Sequence, residues 1–438
     1  MQRTFLAQRT PLAAAIAIAL SAGSAAAHTL DDGIPQTNGL RIDMAAVAAY
    51  LHGDSTLPAP KLAGTLGLGD TPDDQRGWRL EHGTLGAGLR VSPQLGANIA
   101  MGWHDSDPAH VEAAWMEARS GSDAELTLGA GRNRVPMGQV LTRAGHFDRY
   151  GQMPLAKRAA FNGDWIEDGI NAAWRPHLQG AMSWLQGIDL GLWRARRFPG
   201  SDNAAWAPVV HASAAWTSVQ ADVFYSRMQP KGRGAYVQRS NSGHIHTAPQ
   251  CNASLRDITC FDGTVDLAGA SATWTTPLLG VQLTAAGIWR RESGSLYSQN
   301  GDTRYQGRTL GGWLEVLWQP HAHWEFGARQ EWLRSTNRVS GPGALLVATD
   351  ANLLPNNPSR RFTAMAGWRP VKSVLIALEA GREHIAGKGH TVAGLRLIWT
   401  PMPCWKGTGN DHDASPPGAW NAAGHGLCPG TAADGTGP

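Results

Sequence analysis

The chain has 438 residues, and its 38 lysines and arginines nearly balance its 35 aspartates and glutamates. A chain this close to neutral, with no concentrated basic excess, does not fit a dedicated nucleic-acid-binding protein. Four cysteines in this length also exclude a small secreted fold that depends on many disulfides.

The first 27 residues have the three parts of a secretory signal peptide. Arg3 and Arg9 make the start basic, the run PLAAAIAIAL is apolar, and Ala25–Ala27 precedes a cleavage site. The apolar run is too short to span a bilayer as a helix, and no later stretch approaches the roughly 18 apolar residues required. We therefore expect an exported chain, 28–438, with 36 bases against 35 acids and no helical anchor.

After a short segment, 28–40, that we expect in the periplasm, apolar and polar residues alternate with period two through most of the chain. Leu310, Leu314 and Trp318 fall on one face of such a segment, and Glu315 falls on the other. Alternation of this kind is typical of strands. A soluble sandwich would need large apolar residues on its inner face, whereas here that face carries Glu, Arg and many of the 53 glycines. Lipid outside and water inside explain the pattern better.

The alternating segments predict a 16-stranded antiparallel transmembrane β-barrel over 41–400, with fourteen or eighteen strands as alternatives. The predicted strands are 41–52, 78–91, 94–105, 109–119, 124–134, 166–176, 184–197, 205–216, 218–229, 263–274, 280–292, 308–318, 322–334, 359–369, 372–383 and 389–399. An even number of strands puts both termini on the periplasmic side. The long links then share the other side; they are 53–77, 135–165, 230–262, 293–307 and 335–358. Residues 401–438 are expected to form a flexible C-terminal extension.

Six of the predicted strands end in a tryptophan followed directly by a turn. These residues are Trp174, Trp216, Trp274, Trp318, Trp368 and Trp399. Most of the turns contain proline, which ends a strand because it has no N–H to donate. Tryptophan favours the boundary between membrane and water. The pattern predicts an aromatic girdle on the periplasmic side, so the long links should face the outside of the cell.

The link 135–165 is the third on this side when the short link between the third and fourth strands is counted. The region around it contains a specific run of motifs. A strand ending in basic residues is followed by Val135-Pro-Met-Gly138, then by the aromatic and basic patch His146–Tyr150, and the next strand opens around Gly169. This run resembles the phosphate-selective porin O and P family of Gram-negative outer-membrane porins over 129–169. The resemblance implies a homotrimeric anion porin whose third loop, 135–165, folds inward and narrows the pore.

Charged residues in and near this loop are the candidates for selecting solutes. The predicted anion-facing residues of the constriction are Arg132, Arg134, Arg143, His146, Arg149, Lys157 and Arg158. On the lumen wall, the candidates are Arg290, Arg361, Arg396, Glu315 and Glu325. Guanidinium groups donate paired hydrogen bonds to carboxylates and phosphates, so we expect a mild anion preference. The alternative is that the loop charges only meet external water.

The cysteines and histidines suggest two further features. Cys251 with Cys260, and Cys404 with Cys428, are expected to form two local disulfides in the oxidising periplasm. His244 and His246 form an H-x-H pair that could bind zinc or copper, although a solvated loop is the simpler interpretation.

Catalysis finds little support in the sequence. No G-x-S-x-G, H-E-x-x-H or P-loop spacing occurs, so neither an enzymatic activity nor a cofactor is expected. The prediction is an outer-membrane porin through which small hydrophilic or anionic solutes diffuse. Outer-membrane lipid, lipopolysaccharide and further copies of the chain are the expected partners. The alternative is an outer-membrane barrel that binds a metal or a partner through its His- and Cys-containing loops.

Overall fold

The computed structural model describes residues 33–54, 62–67, 76–105, 109–120, 126–145, 148–201, 206–237, 249–252, 254–276, 280–354, 356–401 and 404–407. The signal peptide predicted at 1–27 and most of the predicted C-terminal extension lie outside these ranges. Within them, no helix is long and apolar enough to cross a membrane.

Sixteen antiparallel strands pair in chain order and close into a barrel, as predicted. They are β1 (Gly39–Gly53), β2 (Gly77–Arg90), β3 (Leu95–Trp103), β4 (His110–Arg119), β5 (Leu126–Arg134), β6 (Ile166–Trp174), β7 (Leu185–Arg194), β8 (Trp206–Trp216), β9 (Val219–Met228), β10 (Ile258–Thr275), β11 (Val281–Ser298), β12 (Gly301–His321), β13 (Trp324–Ser340), β14 (Ser359–Val371), β15 (Val374–Ile385) and β16 (Lys388–Trp399). The barrel closes where β1 pairs with β16 over residues 46–53 of β1. In the described parts of the links lie three short α-helices, α1 (Gln139–Arg143), α2 (Leu155–Phe161) and α3 (Ala344–Asp350), and one 3₁₀ helix, Gly180–Met182.

Two short strands extend the sheet beyond the barrel. Arg233–Tyr236 pairs with the start of β10, and Cys404–Gly407 pairs with residues 39–42 of β1. The second pairing differs from the expectation that everything after residue 400 is flexible. The start of β1 extends past the end of β16, and its unpaired N–H and C=O groups are satisfied by the returning tail.

The predicted link 293–307 is not a loop, and this part of the prediction was wrong. Strands β11 and β12 continue through it, and the register Ser298↔Gly301 leaves only a two-residue turn. The composition is rich in Ser and Gly, which suggests a loop. The period-two alternation nevertheless persists, because Leu296, Thr303 and Tyr305 are all buried. The links predicted at 230–262 and 335–358 are likewise shortened by β10 and β13.

Burial alternates along the strands and separates an outer face from an inner face. In β12, Leu310 and Leu314 are 48% and 54% exposed, whereas Tyr305 and Trp313 are each 1% exposed. The outer face is therefore apolar and open, as lipid contact requires. The inner face is partly filled by an apolar cluster that includes Phe161, and this cluster anchors the link between β5 and β6.

Candidate functional site

The third loop (135–165), which joins β5 to β6, contacts the inner faces of strands far away in sequence. Four inward arginines of β11, β13, β14 and β16 donate to backbone carbonyls of the loop. The pairs are Arg290 Nη1 to Ala159 O at 2.7 Å, Arg329 Nη2 to Gln152 O at 2.6 Å, Arg361 Nη1 to Met153 O at 3.0 Å, and Arg396 Nη1 to Asp148 O at 2.6 Å. A loop segment thus lies along this wall on its inner side.

Carboxylates of the same wall accept hydrogen bonds from the loop backbone. Leu155 N donates to Glu331 Oε2 at 2.7 Å, and Gly151 N donates to Glu379 Oε2 at 2.9 Å. Leu155 is the first residue of α2. The N–H groups in the first turn of a helix have no partner within the helix. Because a buried backbone group without a hydrogen bond is costly, wall and loop stabilise each other.

The inward arginines are also paired with carboxylates on the wall. Arg396 binds both oxygens of Glu81 at 3.0 and 2.8 Å, and Arg361 lies 3.2 Å from Glu383. Arg290 lies 3.6 Å from Glu292. The predicted lumen arginines therefore face inward, but their charges are committed to carboxylates and to the loop. The three arginines lie on the lumen wall where the alternation predicts them, and they are paired there with glutamates of the wall.

Two bases predicted for the constriction are instead buried inside the loop. Lys157 Nζ donates to Asp164 Oδ1 at 2.6 Å, Ala144 O at 2.6 Å and Thr142 O at 3.0 Å. An ammonium group has three donors, and all three are used here. Arg158 is only 8% exposed, and burial together with the charge of Arg361 lowers its pKa to about 10. Lys157 therefore stabilises the loop, and both residues are buried away from solutes.

Arg132 lies outside the constriction for which it was predicted. Arg132 has the same parity in β5 as the exposed Leu126 and Leu128, so it points to the outer face. There it binds Asp168 with two hydrogen bonds of 2.8 and 3.2 Å. Arg134 lies 3.7 Å from Asp164 at the foot of the loop. The prediction gave more weight to the closeness of Arg132 to the loop in the sequence than to the alternation of the strand.

Of the predicted loop bases that the structure describes, Arg143 and Arg149 keep appreciable exposure. Arg143 is exposed. The side chain of Arg149 is 35% exposed and lies 3.2 Å from Glu325, which also binds Arg369 at 3.1 Å. Glu315 is half-buried on the inner face of β12, and no ion pair to it occurs among the described residues. His146 lies outside the described ranges.

Polar residues on the inner faces of β3–β11 keep partial exposure near the short-turn ends of their strands. They include Asn98, Glu117, Arg119, Asn171, Ser213, Gln220, Thr273 and Gln282. Water therefore has access to the lumen from this end. Further along the same wall, Trp115, Trp193 and Phe224 belong to the buried cluster that also contains Phe161 of the loop.

The sequence analysis missed a buried cluster on the lower inner wall. His211 lies between Asp189, 2.8 Å from its Nδ1, and Asp222, 3.2 Å from its Nε2. Arg175 binds Asp189 from the other side at 2.9 Å. Alternation could have found this cluster, because it places His211 and Asp222 on the inner faces of neighbouring strands.

The outer face carries tryptophans where the short turns lie. Trp174, Trp216, Trp274, Trp318 and Trp368 are each 40% exposed or more, and Trp399 is half-buried near the junction with β1. Trp324, which the sequence analysis did not include, is 47% exposed and stacks against Trp368.

Cys251 and Cys260 form a disulfide that ties the link between β9 and β10 to the start of β10. Cys428, His244 and His246 lie outside the described residues, and Cys404 begins the short tail strand. In the described part of the chain, no group of three or more His, Cys, Asp or Glu residues could hold a metal ion.

Comparison with solved structures supports the barrel. The outer membrane channel DcaP of Acinetobacter baumannii aligns with a TM-score of 0.51 and 10% identity, covering 86% of this chain and 100% of that one. A loop-deletion mutant of OmpT, an outer membrane protein of Vibrio cholerae, aligns with a TM-score of 0.50 and 9% identity, covering 82% and 99%. The shared feature is the fold. No family model and no curated protein matches the sequence.

Proposed function

We propose that this chain is an outer-membrane porin, a water-filled channel for passive diffusion of small hydrophilic solutes and not an enzyme. The observation that carries the proposal is the arrangement of the barrel interior from one end to the other. Buried arginines and carboxylates hold the third loop against β11–β16. Toward the short-turn ends of the strands, polar inward residues remain accessible to water. A rigid constriction that opens into a wet mouth is the arrangement that a size-selective pore requires.

We infer a mild anion preference that depends on Arg143 and Arg149. These two residues present guanidinium groups toward solvent, whereas the other described loop bases are buried or lie elsewhere. Glu325 partly offsets the charge of Arg149, and Glu315 on the inner face of β12 adds a second negative charge without an ion pair among the described residues. Opposing charges of this kind reduce selectivity without abolishing it, so a strong preference for phosphate is not part of the proposal.

We further propose a homotrimer in which the outer wall of β1–β5 contacts neighbouring subunits. The outward residues of this wall are mostly small or aliphatic, such as Ala97, Ala114 and Ala130. Among the described residues, these five strands have no outward aromatic residue at their short-turn ends, in contrast to β6, β8, β10, β12, β13, β14 and β16. A wall in contact with lipid favours interfacial aromatics, whereas a wall covered by protein does not need them. Small side chains also permit close approach between subunits.

Planar-bilayer recording of the purified full-length protein tests the channel. We expect stable, stepwise conductance and a zero-current potential shifted modestly toward anions in a salt gradient. Cross-linking of the same preparation should yield a trimer. Resistance to denaturation in detergent shows that the preparation is folded. A folded preparation that never conducts would refute the porin proposal.

A further inference from the structure

Seven exposed arginines occupy the outer face of β11–β15 near the ends that carry the long links. This outer arginine patch consists of Arg291, Arg304, Arg308, Arg334, Arg338, Arg360 and Arg382. The patch extends across five adjacent strands, and outward carboxylates nearby are few. Asp302 is exposed on β12, and Asp266 on β10 already accepts a hydrogen bond from Tyr225 at 2.8 Å.

The patch begins where the apolar band of the barrel ends. Along β12, ten residues separate Arg308 from Trp318 in the girdle, and along β13 ten residues separate Arg334 from Trp324. A strand that rises about 3.3 Å per residue with a tilt near 40° climbs roughly 25 Å in ten residues. This is about the height of the apolar band of an outer-membrane barrel. The arginines therefore lie at the opposite boundary, at the level of lipid headgroups.

Within the described residues, none of these seven arginines has an ion pair. The inward arginines behave differently, since Arg290, Arg361 and Arg396 each have a carboxylate within ion-pair distance. Arg291 and Arg308 also lie directly opposite each other in the ladder between β11 and β12. Like charges in that position are destabilising unless an anion lies between them. Asp266 lies opposite Arg291 in the ladder between β10 and β11, but its carboxylate binds Tyr225 and lies 3.7 Å from Arg227 instead. The outer patch thus has the charges of an anion site, and no carboxylate of the described residues lies within ion-pair distance of it.

We propose that the outer arginine patch binds lipopolysaccharide of the outer leaflet through the phosphate groups on its sugar headgroup. Guanidinium forks bind phosphate oxygens in pairs, and several arginines at fixed spacing suit a headgroup that carries more than one phosphate. The acyl chains of the same molecule would cover the apolar residues below the patch, such as Leu310, Leu314 and Phe362. This inference relies on the outer-membrane location that the porin proposal includes.

Calorimetric titration of the detergent-solubilised full-length protein with lipopolysaccharide tests the proposal. The variant is Arg308→Gln with Arg334→Gln, and the matched control is Arg196→Gln with Arg256→Gln, two exposed arginines outside the patch. Because each arginine near an anionic lipid surface contributes about a fivefold factor, we expect the double variant to lose affinity by about thirtyfold. The control should stay within twofold of the wild type. Lipopolysaccharide stripped of its phosphates should bind the wild-type protein as weakly as the variant binds the intact lipid.

Several results would overturn the proposal. One is equal affinity of variant and wild type for lipopolysaccharide, and another is undiminished binding of the dephosphorylated lipid. Saturable binding of inorganic phosphate with the same affinity would show a site for the free anion instead. Loss of the oligomer in the variant would assign the patch to a subunit contact. The bilayer conductance of the variant should match the wild type, which shows that it folds. If the wild-type protein never conducts, the porin proposal is refuted. The lipid titration still tests the outer arginine patch in that case.

Discussion

Arg396 on β16 binds both carboxylate oxygens of Glu81 on β2, across the intervening strand β1. The remaining terminal nitrogen of Arg396, Nη1, donates to the carbonyl of Asp148 in the third loop. One guanidinium group thus joins the seam of barrel closure to the loop that enters the lumen. Arg396 is fully buried, so water cannot take its place at Glu81 or at the carbonyl of Asp148.

Removal of Arg396 should therefore be among the most damaging single changes. Arg396→Met leaves buried Glu81 with Arg79, 3.7 Å away, as its remaining cationic partner. Breaking a buried pair costs roughly 3–5 kcal/mol, and we expect a loss at the lower end because Arg79 remains. The free energy of unfolding, from denaturant titration of the protein in lipid vesicles, measures the loss. The double variant with Glu81→Gln should recover part of it, because the buried carboxylate is then neutral. Equal losses in the single and double variants would contradict the assignment.

Lys157 should hold the third loop in its compact form. Lys157→Met removes three hydrogen bonds at once, and we expect the loop to detach from its compact form while the barrel remains closed. Limited proteolysis within 135–165 should accelerate by at least about tenfold, since exposure of the loop replaces a buried arrangement. Arg143→Met, at an exposed position of the same loop, serves as the control and should leave the cleavage rate unchanged. Cleavage that is equally slow in both variants would show that Lys157 does not hold the loop.

Charge reversal at the two solvent-facing loop arginines should change ion selectivity. Arg143→Glu with Arg149→Glu is expected to lower the ratio of anion to cation permeability by about threefold, a modest factor because water screens charges in a wide pore. Zero-current potentials in a salt gradient give the ratio. Arg256→Glu, in an exposed external link, is the matched control. A ratio that changes equally in the control would mean that general surface charge, and not the constriction, sets the preference.

The subunit interface can be tested with one matched pair of bulky substitutions on the outer wall. Ala114 on β4 and Ala364 on β14 are both exposed and outward. Ala114→Trp should reduce the trimeric fraction several-fold because the added ring blocks close approach, whereas Ala364→Trp meets lipid and should leave the trimer intact. Light scattering of the detergent complex separates these outcomes. Dissociation by Ala364→Trp alone would move the proposed interface to the opposite wall.

The period-two pattern was sufficient to predict the barrel. Each of the sixteen barrel strands overlaps a predicted one, because a strand between lipid and water must alternate whatever its neighbours are. The prediction failed for 293–307, where Ser and Gly suggested a loop but paired backbone continued. It also failed for Arg132, where closeness to the loop was given more weight than the alternation shared with Leu128.

The sequence by itself determined the strands, the face of each side chain and the tryptophans at one boundary, since these depend only on local alternation and on contact with membrane or water. The tertiary structure alone decided what the inward charges do. Arg290, Arg361 and Arg396 could have lined an open pore, but they meet loop carbonyls contributed by residues far away in the chain. Alternation sets the face on which a residue lies, whereas the partner it meets there depends on the closure of the barrel and the path of the loop through it.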